Sequence, residues 1–100
     1  MNAVEDHLYL VTYDIGDPKR WRAIYELMNG YGEWIQLSVF QCRLSARRHA
    51  EMVSTLDQLI HHTQDHVLVL DLGTAESVRP RVASLGKSPF EPVKREAVIV

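Results

Sequence analysis

The chemistry within reach of this chain centres on one acid and the cations that follow it. Asp14 closes the apolar run Leu8-Tyr9-Leu10-Val11-Thr12-Tyr13, and Lys19, Arg20 and Arg22 come just after the turn Gly16-Asp17-Pro18. Side chains at strand ends are aimed by rigid backbone and reached through a loop, so functional groups collect there. A carboxylate in that place, beside ammonium and guanidinium groups, suits metal-assisted phosphodiester chemistry. The acid would hold a hard cation and the basic groups would hold phosphate. An ordinary surface loop can carry the same residues, so the rest of the chain has to decide.

Three further basic clusters follow, Arg43/Arg47/Arg48, Arg79/Arg81 and Lys94/Arg95, on a chain whose net charge is −2. That balance argues against coating nucleic acid by bulk attraction. Screening confines a charge's field to about 8–10 Å, so local patches still bind phosphate. Lys19, Arg20, Arg22, Arg47 and Arg48 are the candidate nucleic-acid contacts; a solvated helix face is the alternative reading of each cluster. His61, His62 and His66 resemble a transition-metal set only superficially. Neighbouring helical residues point about 100° apart, and no Cys or acid completes the set at ligand spacing. They read as a polar helix end, with His66 a candidate base or ligand if its strand starts beside Asp14. Ser38 lacks a nucleophile elbow and reads as a backbone hydrogen-bonder at a strand bend.

The elements that position these groups are well punctuated. Leu8, Leu10 and Thr12 lie on one face of the first strand and Tyr9, Val11 and Tyr13 on the other, a pattern that predicts cover on both sides. Asp14 shares the parity of Leu8 and Leu10. Asp17 and Pro18 cap and start a helix whose apolar stripe is Trp21, Ile24, Tyr25 and Met28, ended by Asn29-Gly30 and Gly32. Glu33 to Leu44 reads as extended but is long for one strand. It is either a bent strand or two short ones joined near Gln36–Ser38. Ser45 caps a second helix with Met52, Val53, Leu56, Leu59 and Ile60 on its apolar side, and His66–Leu72 is a strand stopped by Gly73. A short helical turn is expected within Thr74–Arg81, then an extended Val82–Leu85 and a loop framed by Pro89 and Pro92. The bare apolar end Ala97-Val98-Ile99-Val100 would add to a sheet edge, its own or a partner's.

This order fits an α+β fold, a ferredoxin-like split β-α-β sandwich, as one domain over 1–100 with about 82–100 as a C-terminal extension. At 46% apolar and 24% charged residues the chain can bury a real core. The single cysteine, Cys42, alternates with Phe40 as a core residue and allows no internal disulfide, which suits a reducing compartment. No segment approaches the roughly 20 apolar residues of a membrane helix, and Met1–Asp6 has no signal-peptide character, so a cytoplasmic protein is expected.

Tyr13-Asp14-Ile15, then Lys19-Arg20, then Gly32 followed by Gln36, Ser38-Val39-Phe40 and Cys42, resemble the CRISPR-associated protein two family, the small subunit of the spacer-acquisition machinery. The resemblance runs from about Leu8 to Val100, and the Gln-x-Ser-Val-Phe segment is its most distinctive part. It implies a homodimer with facing sheets, the C-terminal strand completing the neighbour's sheet. It also implies a metal-dependent nuclease, or a non-catalytic scaffold that bridges the large integrase subunit and holds duplex DNA. Carried over, Asp14 is the metal-binding and catalytic carboxylate, Tyr13 stands beside it, and Arg20 and Phe40 match positions linked to nuclease activity; burial in the core is the alternative reading of Tyr13 and Phe40, as for aromatic residues in general. Trp21 departs from the family, which often has a second polar or basic residue there; Arg22 would substitute as a phosphate contact.

The implied cofactor is Mg²⁺, with Mn²⁺ as an alternative. Mg²⁺ takes oxygen ligands, keeps several waters, and needs only one or two carboxylates plus substrate phosphate. A two-fold dimer would bring the second Asp14. The substrate is open between duplex DNA and single-stranded RNA.

Overall fold

A computed structural model describes residues 5–86. The chain runs β1 (His7–Asp14), α1 (Pro18–Asn29), β2 (Gly32–Gln36), β3 (Val39–Leu44), α2 (Ala46–Leu59) and β4 (His66–Thr74). The strands form one sheet in the order β2-β3-β1-β4 with every neighbouring pair antiparallel. Each helix therefore connects two strands that have another strand between them. The stretch left open between Glu33 and Leu44 resolves as a hairpin turning at Leu37-Ser38, where Leu37 adopts φ 38°.

The core lies on one face of the sheet. Tyr9, Val11 and Tyr13 of β1 and Phe40, Cys42 and Leu44 of β3 meet Ile24 and Met28 of α1 and Met52 and Leu56 of α2. Register makes the layer continuous, since Val11 stands opposite Phe40 and Tyr9 opposite Cys42. Both helices cover this face. Among the described residues the other face of β1 has no second layer. Leu68 is 49% exposed and Leu70 43% exposed, and they sit across the ladder from Thr12 and Leu10. Of the expected cover on both faces of β1, the described residues supply that of one face.

The helix caps follow the sequence reading at their starts. The Asp17 carboxylate accepts from the amides of Lys19 and Arg20 at 3.0 Å each, and Ser45 Oγ accepts from the Arg48 amide at 3.2 Å. The end of α1 falls at Asn29 with Gly30 as its C-cap, where the sequence reading places it. Gly30 is right-handed at φ −84°. The last turn tightens instead through Gly30 N–H to Leu27 O and Tyr31 N–H to Met28 O. Val53 also leaves the expected apolar stripe, being 39% exposed. The helical turn after β4 is present, with the amides of Ser77 and Val78 both donating to Thr74 O. Val82–Leu85 forms no strand. The Pro89–Pro92 loop, the strand at Ala97–Val100 and most of the Met1–Asp6 leader lie outside the described residues.

Gly32 is required by proximity rather than by its backbone angle. A Cβ there would press on the carbonyl oxygen of Gln41 and the Sγ of Cys42 across the β2–β3 ladder. Overpacking of this kind costs about 1–3 kcal/mol. Gly32→Ala is therefore expected to lower the unfolding free energy by roughly that amount in urea titrations; an unchanged midpoint would show that β2 shifts without cost.

Candidate functional site at the β1–α1 corner

Three connections converge at one end of the sheet: the loop after β1, the β2–β3 hairpin, and the turn between α2 and β4. Asp14 is exposed there, as the last residue of β1 on the uncovered face, with His66 directly across the β1–β4 ladder. Leu8, Leu10 and Thr12 precede it on the same face, so its carboxylate leaves the sheet where the apolar surface ends.

The corner is held from beneath by a carboxylate far away in sequence. Asp65 Oδ1 accepts from the Gly16 amide at 2.8 Å and from an Arg20 guanidinium nitrogen at 3.1 Å. Its Oδ2 accepts from Arg20 Nε at 2.7 Å and from the His61 amide at 2.7 Å. The side chain is closed to solvent. The Arg20 guanidinium first, then the two amides, outweigh burial and hold the Asp65 carboxyl well below the usual carboxylate range. Arg20 also donates to Gln64 Oε1 at 3.1 Å. Its Nε and one terminal nitrogen are thus engaged by the protein itself, on a side chain that stays partly exposed.

Aromatic groups brace the other side. Trp21 Nε1 donates to Ser38 Oγ at 3.0 Å, and its ring stacks on Tyr25 with centroids 5.3 Å apart. Trp34 Nε1 donates to Leu37 O at 2.9 Å, and the Tyr13 amide donates to Ser38 O at 3.1 Å. Both indoles therefore fasten the hairpin loop that adjoins the end of β1. Trp21, which departs from the family pattern, has a structural task here.

The other candidates divide. Tyr13 and Phe40, expected as catalytic partners, are core residues. Phe40 is fully buried, and Tyr13 is 6% exposed with a hydroxyl that has no hydrogen-bond partner among the described residues. Burial pushes the Tyr13 phenol up to about 12, so it stays protonated. Neither ring can touch a substrate from the surface; they pack beneath Asp14's strand. Lys19 and Arg22 are exposed. An open groove of about 490 Å³ lined by Ile15, Gly16, Asp17, Pro18, Trp21 and Arg22 runs beside them.

Arg47 and Arg48 lie at the opposite end of the sheet. They follow Leu44, which pairs with His7 at the start of β1, some seven residues or about 23 Å of strand from Asp14. Arg48 donates to Gly30 O at 3.0 Å and lies 4.5 Å over the Tyr31 ring, and Arg47 approaches Glu51 at 3.6 Å. The cations grouped by sequence thus form two separate patches.

The three histidines do not form a site. His61 and His62 lie beyond the end of α2, where the His61 ring meets Thr63 and His62 pairs with Asp57 at 2.9 Å. Among the described residues no three His, Cys, Asp or Glu side chains cluster as a metal site. Asp17 is consumed as a cap, so among the described residues this corner offers Asp14 alone as a free acid. A single exposed hard oxygen donor fits Mg²⁺, which is satisfied by few protein ligands, better than a metal that needs a complete protein cage. Among the described residues no helix is long and apolar enough to cross a membrane.

Fold and site together define a small α+β protein with one antiparallel sheet, one helical layer, and an acid at the rim of the bare sheet face. Residues 7–79 match the family described as CRISPR associated protein Cas2, and the chain belongs to that family. It is 52% identical over 95 residues to a Geobacter sulfurreducens protein named CRISPR-associated endoribonuclease Cas2, covering 95% of this chain and 99% of that one. It is 56% identical over 95 residues to a Rhodospirillum rubrum protein named CRISPR-associated endoribonuclease Cas2 1, covering 95% of this chain and 92% of that one. Among solved structures, Streptococcus pyogenes Cas2 superposes with a TM-score of 0.70 at 31% identity, over 79% of this chain and 99% of that one. A Thermus thermophilus protein titled hypothetical protein TT1823 gives a TM-score of 0.70 at 33% identity, over 86% and 99%.

The lowered Asp65 carboxyl has a signed consequence. A depressed folded-state value stabilises the fold above the unfolded carboxyl value near 3.9, and the contribution fades as pH falls below it. Asp71, lowered chiefly by its hydrogen bond to His7, acts in the same direction. Urea midpoints of wild type are expected to drop more steeply below about pH 4 than those of Asp65→Asn. Parallel curves would remove Asp65 from the acid response.

Proposed function

We infer that this protein is a Cas2-type endonuclease of CRISPR adaptation, cleaving phosphodiester bonds of DNA or RNA with Mg²⁺ or Mn²⁺ held at Asp14 as it serves in new-spacer acquisition. The observation that carries this reading is the placement of Asp14, an exposed carboxylate at the end of β1 on the uncovered sheet face. The relatives named endoribonuclease support it. The unit is proposed as a ferredoxin-like homodimer in the cytoplasm, a single domain over 1–100 with about 82–100 pairing with the partner's sheet. The half-exposed Leu68, Leu70 and Leu72 support face-to-face pairing, since apolar surface of that kind is commonly covered by a partner. Such pairing would bring both Asp14 carboxylates toward the two-fold axis.

In this reading each residue has a distinct task. Asp14 binds the cation, which when present polarises a phosphate oxygen and lowers the pKa of a bound water. Lys19 and Arg22 hold the flanking phosphates from the groove at the start of α1. Tyr13 and Phe40 keep the end of β1 rigid from below, and Arg20 does so from the side. His66 is the nearest titratable neighbour across the ladder.

A second reading is favoured by the scarcity of acids and bases around Asp14. A non-catalytic dimer would bind duplex DNA through Lys19, Arg22, Arg47 and Arg48 and bridge the large integrase subunit. The two patches at opposite ends of the sheet suit an extended duplex.

Labelled duplex DNA and single-stranded RNA, incubated with wild type and Asp14→Ala in Mg²⁺ or EDTA, separate the two. The nuclease reading expects Mg²⁺-dependent cleavage that falls at least about 100-fold in the variant. Equal cleavage by both proteins, or none, would sink it. Salt-dependent DNA binding that survives Asp14→Ala would then support the scaffold.

A further inference from the structure

The loop that carries the chain away from Asp14 has few anchors of its own. The β1–β4 ladder ends at the Asp14–His66 pair, and Asp17 spends its carboxylate on the helix cap. Gly16, two residues past Asp14, is tied instead to Asp65. It fits closely there, because a Cβ at Gly16 would stand 3.3 Å from Gln64 O. One carboxylate thus gathers the β1–α1 loop, the α1 helix and the α2–β4 turn, using four hydrogen bonds shared between its two oxygens.

We propose that Asp65 is the positioning residue of the Asp14 site, and that Arg20 serves this site through Asp65 rather than by contacting phosphate. The inference deepens the nuclease reading of Asp14 and rests on it for its catalytic consequence. Three observations carry it. The Asp65 side chain is sealed from solvent and cannot itself meet a substrate. Arg20 already directs Nε and a terminal nitrogen at Asp65 and Gln64. To turn its Nε or that terminal nitrogen to phosphate, Arg20 would have to give up its bonds to Asp65 and strand a buried carboxylate. Lys19 and Arg22, which remain exposed, are left as the phosphate contacts of this corner.

The test uses the full chain with Asp65→Asn, Arg20→Gln and the double variant. Asp65→Asn keeps the shape but turns an NH₂ toward donors, either those of Gly16 and Arg20 or those of Arg20 and His61, and removes the charge that holds all of them. Amide hydrogen exchange at Gly16 is expected to quicken at least about 10-fold while the Val11 amide, which reports the core, holds its protection. The cleavage kcat is expected to fall about 10–100-fold with KM within about 2-fold of wild type, the pattern of a misplaced group rather than a lost substrate contact. Arg20→Gln is expected to match it, and the double variant to lose no more than either single one.

Arg20→Gln also reports without catalysis. A lost phosphate contact lowers the slope of log affinity against log salt by about 0.9 on a duplex probe, whereas a positioning role leaves the slope as it was. Wild-type Gly16 exchange in a folded Asp65→Asn protein would overturn the proposal, as would a slope reduced by about 0.9 in Arg20→Gln. If Asp65→Asn does not fold, the exchange and slope of Arg20→Gln decide. If wild type itself does not cleave, the nuclease reading of Asp14 fails on its own assay. Gly16 exchange and the salt slope still judge Asp65.

Discussion

Val11 and Phe40 face each other across the β1–β3 ladder with no solvent access, and the one-sided core built around them constrains everything else. Two helices are enough to cover one face of a four-stranded sheet. In this chain both are drawn to the face that carries Tyr9, Val11, Tyr13, Phe40, Cys42 and Leu44. Strand residues alternate faces, so filling that layer necessarily leaves Leu8, Leu10, Leu68 and Leu70 on the other. Asp14 belongs to the same alternation. It reaches the surface because its parity matches the bare face and its position is the last in the strand.

That placement turns a common residue into a candidate site. An acid at the end of a rigid strand keeps a defined direction only if the chain after it is also held. Here the holding is polar on one side and aromatic on the other. Asp65 collects Gly16, Arg20 and His61, and the Trp21 indole pins Ser38 on the neighbouring hairpin. Buried hydrogen-bonded charge is costly to form and costly to break, so such a network favours one arrangement of the corner over its neighbours. The cations are sorted by the same logic. Arg20, which completes the Asp65 network, is engaged within the protein, and Lys19 and Arg22, outside that network, remain open to a ligand.

The similarity to solved structures, Streptococcus pyogenes Cas2 among them, at about one-third identity fits this division. What must be shared to keep the fold is the buried layer and the turns that shape it. Trp21 illustrates the latitude around the site. This chain has an indole there that takes up a bracing role through Ser38 and Tyr25.

Much of this was legible in the amino-acid order because it depends on local physics. The caps at Asp17 and Ser45, the start of each helix, the strand that ends in Asp14 and the family resemblance all rest on neighbouring residues and on periods of two or 3.6. What stayed open locally was settled by packing. The break in Glu33–Leu44 depends on how Leu37-Ser38 turns against Tyr13 and the two indoles. Likewise, periodicity marks an apolar face of β1 without saying which elements cover it, and packing assigns both helices to one face. Tyr13 and Phe40 sit beside Asp14 in the motif, yet their burial follows from the β1–β3 register, which no short segment contains. Asp65 was the least visible, an unremarkable acid before a strand. Its partners lie 45 and 49 residues away, and only the folded chain brings a buried carboxylate, a guanidinium and a loop amide together.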